Sequence, residues 1–298
     1  MMKFQSLKDW LSKTINEGGN AIPNSRIVSY SEAESTFNFV KSEIIPLFNI
    51  TQNDVDTIGS YGKKRDVETY GDLDIVLDKE QIKINNNLED NAILDFINNI
   101  LLDLGYETKK MVGFNQVSAG IPIPNTSDII QVDFMLSPSL EWSKFVYHSP
   151  DFKQNESNYK GVYRNALLMA IISETSKNIL KQTDTGDVEE LETNVIRFPE
   201  GIWNIRKNFM GTKGLIKTGK LLREFDKFIT LDPNVATRLA VGSEYSPNDI
   251  NTFEKLWKIT RSPEFVHKQK SKEIISKFLI NLKSFGLDIS DEINTFRI

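Results

Sequence analysis

Apolar residues recur at helical spacing in the first third of the chain. Ala33, Phe37, Val40, Ile44 and Leu47 predict a helix, opened by a capping box of Ser31 and Glu34 and ended near Pro46. Two short apolar runs follow, Val55 to Ile58 and Leu73 to Leu77, each the length of a buried strand. Leu88, Ala92, Ile93, Phe96, Ile97, Ile100, Leu101 and Leu104 then mark a second amphipathic helix that stops at Gly105. Beyond it, "YETKKMVGF", "QVSAGIPI" and "DIIQVDFML" read as strands separated by turn residues such as Gly113, Pro124 and Asn125. The pattern predicts an α+β fold, a mixed sheet with flanking helices.

From Tyr159 the expected character is helical. "NYKGVYRNALLMAIISETSKNILK" carries a helical apolar stripe, and the acidic "QTDTGDVEELET" after it reads as a surface loop. Ser246-Pro247 with Asp249 signals a helix start, and Ile274, Ile275, Phe278, Leu279 and Leu282 define a final long helix. Two domains are therefore expected, residues 1–182 around the sheet and a mainly α-helical domain over 183–298.

Composition narrows the chemistry. A chain of 298 residues with 39% hydrophobic content can bury a sizeable core. No apolar run approaches a membrane span and "MMKFQSLKDWLSKTINEGG" has no signal-peptide core, so a cytoplasmic protein is expected. With no cysteine and only His148 and His267, thiolate and zinc chemistry are disfavoured, and a bound metal would take oxygen ligands. The net charge of -5 hides an uneven distribution.

The richest stretch is "TIGSYGKKRDVETYGDLDIVLD", Thr57 to Asp78. On a strand, Asp72 and Asp74 share one face while Leu73, Ile75 and Leu77 share the other. Two close carboxylates repel and lose hydration, a cost offset by a cation or by a proton. Magnesium fits such oxygen ligands together with substrate phosphates. Gly59 allows close backbone approach, Ser60 can begin a short helix with free amides, and Lys63, Lys64 and Arg65 bring positive charge. A third acid, Asp133, stands inside the apolar "IIQVDFML"; if its strand neighbours that of Asp72 and Asp74, the three converge. A purely structural alternative has Asp72 at a strand end, Asp74 paired with Lys64 or Arg65, and Asp133 paired with a helix cation.

Ile58-Gly59-Ser60, Asp72-Leu73-Asp74 and the later Asp133 together resemble the signature of the DNA polymerase β nucleotidyltransferase superfamily. Within it, "GSYGKKRDVETYGDLDIVL" is most similar to the palm of family X polymerases. The resemblance covers roughly the first half of the chain. It implies that Asp72 and Asp74 bind two Mg2+ ions (Mn2+ serving as a substitute), that Asp133 binds the catalytic ion and helps activate the attacking hydroxyl, and that Gly59 and Ser60 hold the triphosphate of an NTP or dNTP. The aromatic pair and Thr-Gly-Ser turn of those polymerases correspond only to "FVYHSPDF", which makes His148 a candidate nucleotide contact.

In the second half, Arg206, Lys207, Lys213, Lys217 and Lys220 form a locally basic segment with Trp203 and Phe209 among them. Such a segment can track a phosphate backbone, or it can be a solvated helix face. "GLIKTGKL" has the glycine and lysine spacing of a phosphate-binding loop, but Leu221 stands where a hydroxyl would bind magnesium. The expected activity is transfer of a nucleoside monophosphate to a hydroxyl with release of pyrophosphate. The favoured acceptor is a nucleic-acid 3′ end, in transfer RNA, other RNA or DNA. Alternatives are a small-molecule or protein acceptor, synthesis of an oligonucleotide signal, or a non-catalytic binding module on the same scaffold.

Overall fold

A computed structural model describes residues 21–63, 69–147, 161–182, 188–209 and 221–287. The chain divides into two compact units, one of Met1–Asn158 with Ser284–Gly286, the other of Tyr159–Lys283 with Leu287–Ile298. The division therefore falls after residue 158, earlier than the boundary at 182 expected from the acidic stretch.

In the first unit, β1 (Val28–Ser29) leads into helix α1 (Tyr30–Phe39). The capping box is Ser29 with Glu32, two residues ahead of the predicted pair, because Glu32 also engages Arg26 at 2.6 Å and the chain is extended up to Ser29. The helix runs on through Val40–Ile44 and Ile45–Phe48 and stops at Asn49, which is left-handed. Strand β2 (Val55–Ile58) is followed by one short helix, α2 (Gly59–Lys63), then β3 (Thr69–Tyr70) and β4 (Asp72–Asp78). Asp78 caps α3 (Lys79–Asn86), which the apolar pattern had not suggested, and α4 (Ile93–Asp103) matches the second predicted helix. Strands β5 (Thr108–Met111), β6 (Gln116–Pro122) and β7 (Ile129–Ser137) fall where the three strand signals lay, and α5 (Leu140–Tyr147) follows.

The main sheet has the order β2-β4-β7-β6-β5, with β4 and β7 parallel and the other pairs antiparallel. Its two faces differ in chemistry. Leu73, Ile75 and Leu77 of β4, Val132, Phe134 and Leu136 of β7, and Val117, Ala119 and Ile121 of β6 join the core with Val40, Ile44, Phe48, Ile93, Ile97 and Leu101. This burial fixes the register, because a one-residue slip would turn every one of these side chains over. The opposite face is thereby committed to Asp72, Asp74, Gln131, Asp133, Gln116 and Ser118.

The second unit departs from the helical expectation. After α6 (Gly161–Ser176), four strands form an antiparallel sheet in the order β11-β10-β9-β8: β8 (Asn178–Gln182), β9 (Val188–Arg197), β10 (Gly201–Phe209) and β11 (Leu221–Thr230). After β11 come the helices α7 (Pro233–Val241), α8 (Phe253–Arg261) and α9 (Ser271–Ser284). The "VEELET" of the expected loop reads that way because its strand positions are filled by glutamates. Glu190 accepts strand geometry beside a cation of the adjoining strand, Arg206, and acids of β11 are met likewise: Arg197 reaches Asp226 at 2.8 Å and Lys207 reaches Glu224 at 3.2 Å. Helix α6 packs on β9, where Thr193 donates to the Ser173 carbonyl at 2.9 Å. Among the described residues, no helix is long and apolar enough to cross a membrane.

Candidate metal centre

Asp74 and Asp133 are register partners on the parallel pair β4 and β7, so their side chains leave the sheet side by side on the same face. Asp72 precedes Asp74 by two residues on that face. The three carboxylates each offer an oxygen, all within 4.8 Å of one another. Asp72 and Asp74 are half-buried and Asp133 is 7% exposed.

The electrostatics match this crowding. Burial, then the charges of Asp72 and Asp133, push Asp74 well above the ordinary carboxylate range. Burial also drives Asp133 up to about 7 and Asp72 adds to the shift, while hydrogen bonds from Ser118, Gln131 and Gln116 oppose it. Among the described residues no cation pairs with Asp74 or Asp133. Placing acids together in this way is unfavourable for a bare protein and favourable around a cation. The donor set fits a hard divalent ion, since it is all oxygen and includes no nitrogen or sulfur.

Gly59 is built around the same acid. Its φ is +63°, and a Cβ there would lie 1.8 Å from Asp74 Oδ2 and 2.7 Å from Asp74 Cγ. Any side chain would have to displace the carboxylate as well as adopt a strained backbone. The motif glycine thus presses the turn of α2 against Asp74, which pairs with Ile58 at the end of β2. Ser60, next in line, is exposed. Tyr61 anchors the turn from below, with its ring 5.5 Å from Tyr70, 5.8 Å from Phe37 and 6.2 Å from Tyr30.

Of the predicted site residues, the structure brings together Asp72, Asp74, Asp133 and Gly59, with Ser60 adjoining. Lys63 closes α2, but its side chain lies outside the described residues, as do Lys64, Arg65 and His148. The basic segment is partly visible. Arg206 and Lys207 lie on β10, each paired with a glutamate, while Lys213, Lys217 and Lys220 fall outside the described residues. Arg164 of α6 is 1% exposed within the second unit. Its Nε donates to the Ile250 carbonyl at 2.9 Å, and burial pushes its pKa down to about 9.

Sequence reasoning overlooked the polar side chains beside the acids. Gln131 donates to Asp133 Oδ1 at 3.0 Å, Ser118 faces Asp133 across β6 and β7, and Gln116 donates to Ser118 Oγ at 3.1 Å. The available signal was their spacing: Gln131 stands two before Asp133, and Gln116 and Ser118 alternate inside an apolar run. Tyr147, at the end of α5, is a further neighbour, for burial and the charge of Asp74 both raise its hydroxyl pKa. Comparison with protein-family models and with curated proteins returns no match to this sequence.

Proposed function

We propose that the chain is a divalent-metal-dependent nucleotidyltransferase. It transfers the nucleoside monophosphate of an NTP or dNTP to a hydroxyl, with pyrophosphate as the leaving group. The observation that carries this reading is the trio of Asp72, Asp74 and Asp133 on adjoining strands, closed on one side by a glycine that only a side-chain-free turn can supply. The resemblance of Gly59-Ser60, Asp72-Leu73-Asp74 and Asp133 to the DNA polymerase β superfamily gives the same reading and makes the first unit a nucleotidyltransferase domain.

Asp72, Asp74 and Asp133 hold Mg2+ or Mn2+ in this scheme, and the metal supplies charge neutralisation at the phosphates and Lewis-acid activation of the acceptor. Asp133 would accept the proton of the acceptor hydroxyl on a carboxylate oxygen. The new P–O bond forms at the α-phosphorus as the bond to pyrophosphate breaks in line with it. Gly59 and the exposed Ser60 hydroxyl would face the phosphates, and a side chain at 59 would instead drive into the Asp74 carboxylate.

The acceptor proposed first is a nucleic-acid 3′ end, resting on the basic segment Arg206 to Lys220. A small-molecule or protein hydroxyl is the second reading. It is favoured by one observation: Arg206, Lys207 and Arg197 are each paired with carboxylates, which cancels their charge locally.

The test follows labelled NTPs and dNTPs, with Mg2+ or Mn2+, in the presence of mixed transfer RNA, primed DNA, single-stranded DNA or no acceptor, beside Asp74→Ala. Label entering a polymer only with the wild type supports the first reading. Pyrophosphate released without polymer labelling supports the second. Metal-independent binding of nucleic acid or protein, unchanged in Asp74→Ala and without turnover, would replace the enzyme with a binding module.

A further inference from the structure

Gln131 joins the metal centre to a part of the chain 110 residues away. Its side chain is buried, and its Oε1 accepts from the backbone N–H of Ala21 at 2.8 Å and of Ile22 at 3.1 Å. Only the oxygen end of an amide can accept from two N–H donors, so Nε2 is forced to the other side. There it donates to Asp133 Oδ1 at 3.0 Å. The direction of this bond is therefore fixed by the backbone of residues 21 and 22.

The segment that supplies those two N–H groups is seated firmly. Arg26 N–H donates to the Ile129 carbonyl at 3.0 Å, and Ser25 bridges Ile129 in parallel. The Arg26 guanidinium holds Asp128 and Glu32, each at 2.6 Å. Ile22 fills the space left by Gly120, where an added Cβ would stand 3.1 Å from an Ile22 methyl. Residues 21–26 thus run along the start of β7, the strand that carries Asp133.

We infer that Gln131 is a positioning residue for the metal centre, and that the backbone of Ala21–Ile22, by fixing the Gln131 amide, sets the orientation of the Asp133 carboxylate. The inference rests on the metal-binding reading above. A carboxylate turns about its terminal torsion in a broad, shallow well. A donor that cannot itself rotate narrows that well, which is how outer partners aim metal ligands. Asp133 is held from its own strand by Gln131 and from β6 by Ser118, so the segment at residues 21–22 completes one side of this support.

Mn2+ binding, followed by the loss of free-ion EPR signal in a titration of the full chain, tests this without using turnover. Gln131→Met keeps the volume and removes both polar ends. Ala21→Pro removes one N–H and leaves Gln131 in place, so it serves even where Gln131→Met fails to fold. Gln131→Met is expected to weaken Mn2+ binding about tenfold, at the lower end of what outer partners contribute. Ala21→Pro is expected to weaken it about two- to threefold, and the double variant to bind no more weakly than Gln131→Met, because both act through one contact. Wild-type affinity in Ala21→Pro, or weakening factors that multiply in the double variant, would overturn the inference. Asp133→Asn separates the two levels: a wild type that binds Mn2+ no better than Asp133→Asn removes the metal reading, and the inference with it.

Discussion

The two sheets of this protein treat charge in opposite ways. In the meander β8–β11, acids and bases alternate along half-exposed strands and find one another across the sheet. Arg197 meets Asp226 and lies 5.0 Å above the ring of Trp203, Lys207 meets Glu224, and Arg206 meets Glu190. In the sheet β2-β4-β7-β6-β5, three acids stand together on a largely buried face, and among the described residues no cation answers Asp74 or Asp133. Charges that are paired need no further explanation, since each pair is balanced within the protein. A cluster that destabilises the bare fold points instead to something bound from outside.

The largest break in this contrast is at Asp74. Asp74→Ala is expected to lower nucleotide turnover about 10³-fold, equivalent to about 4 kcal/mol of transition-state stabilisation, with the circular dichroism of the fold retained. Pyrophosphate release at matched protein concentration measures it, and a loss below tenfold would assign the cluster a structural role.

Gly59→Ala comes next. A Cβ placed 1.8 Å from Asp74 Oδ2, on a backbone with φ of +63°, has to move the carboxylate or the turn. Strain of this kind costs about 1–3 kcal/mol. The expected outcome is a Tm lower by several degrees and a loss of the Mn2+-induced rise in Tm, both read in one thermal-shift experiment. An unchanged response to Mn2+ would show that the turn yields without disturbing the acid.

The pH dependence of the metal-free protein sharpens the comparison further. Asp133 rises from its ordinary value of 3.8 to about 7 in the folded state, and Asp74 rises as well. The folded protein therefore holds more protons than the unfolded chain between these values, and stability falls as pH rises through the window. The contribution is fully present below about pH 4 and lost above about pH 7. Metal-free Tm is expected to decline from pH 5 to pH 8, with Mn2+ restoring more at pH 8. Asp74→Asn, which removes one charge, should raise the metal-free Tm at pH 8 and change it little at pH 4.

The smallest effect belongs to the meander. Arg197→Ala removes an exposed-side ion pair and a ring contact, and is expected to cost about 1 kcal/mol or less, diminished by salt. Turnover should be unaffected. For the remaining basic residues, RNA or DNA binding should weaken steeply with added salt if the acceptor is a nucleic acid, and Lys217→Glu with Lys220→Glu should weaken it at fixed salt. Unchanged affinity would favour the small-hydroxyl reading.

Much of the first unit was legible in the chain. Ile97 and Leu101 disclosed the side of α4 that joins the core, and the apolar residues flanking Asp72, Asp74 and Asp133 disclosed both the strands and the anomaly on them. The meander was not legible, because Glu190, Glu192 and Lys207 carry weak strand preference alone and become acceptable only beside their partners. Gln131 was equally silent, for a glutamine in an apolar strand gains meaning only when two backbone N–H groups from residues 21 and 22 arrive at its oxygen.

The sequence by itself determined which residues face the core, and hence that Asp72 and Asp74 share a side, because alternation along a strand is a local property of backbone geometry. It also made oxygen the expected ligand for a metal here, since the chain has no cysteine and only two histidines. Only the tertiary structure decided that β7 lies parallel to β4 with Asp133 opposite Asp74, that Gly59 abuts the same carboxylate, and that residues 21–22 hold the amide beside it. Strand order, register and contacts across a hundred residues depend on which buried faces pack together, and local preference carries no record of that choice.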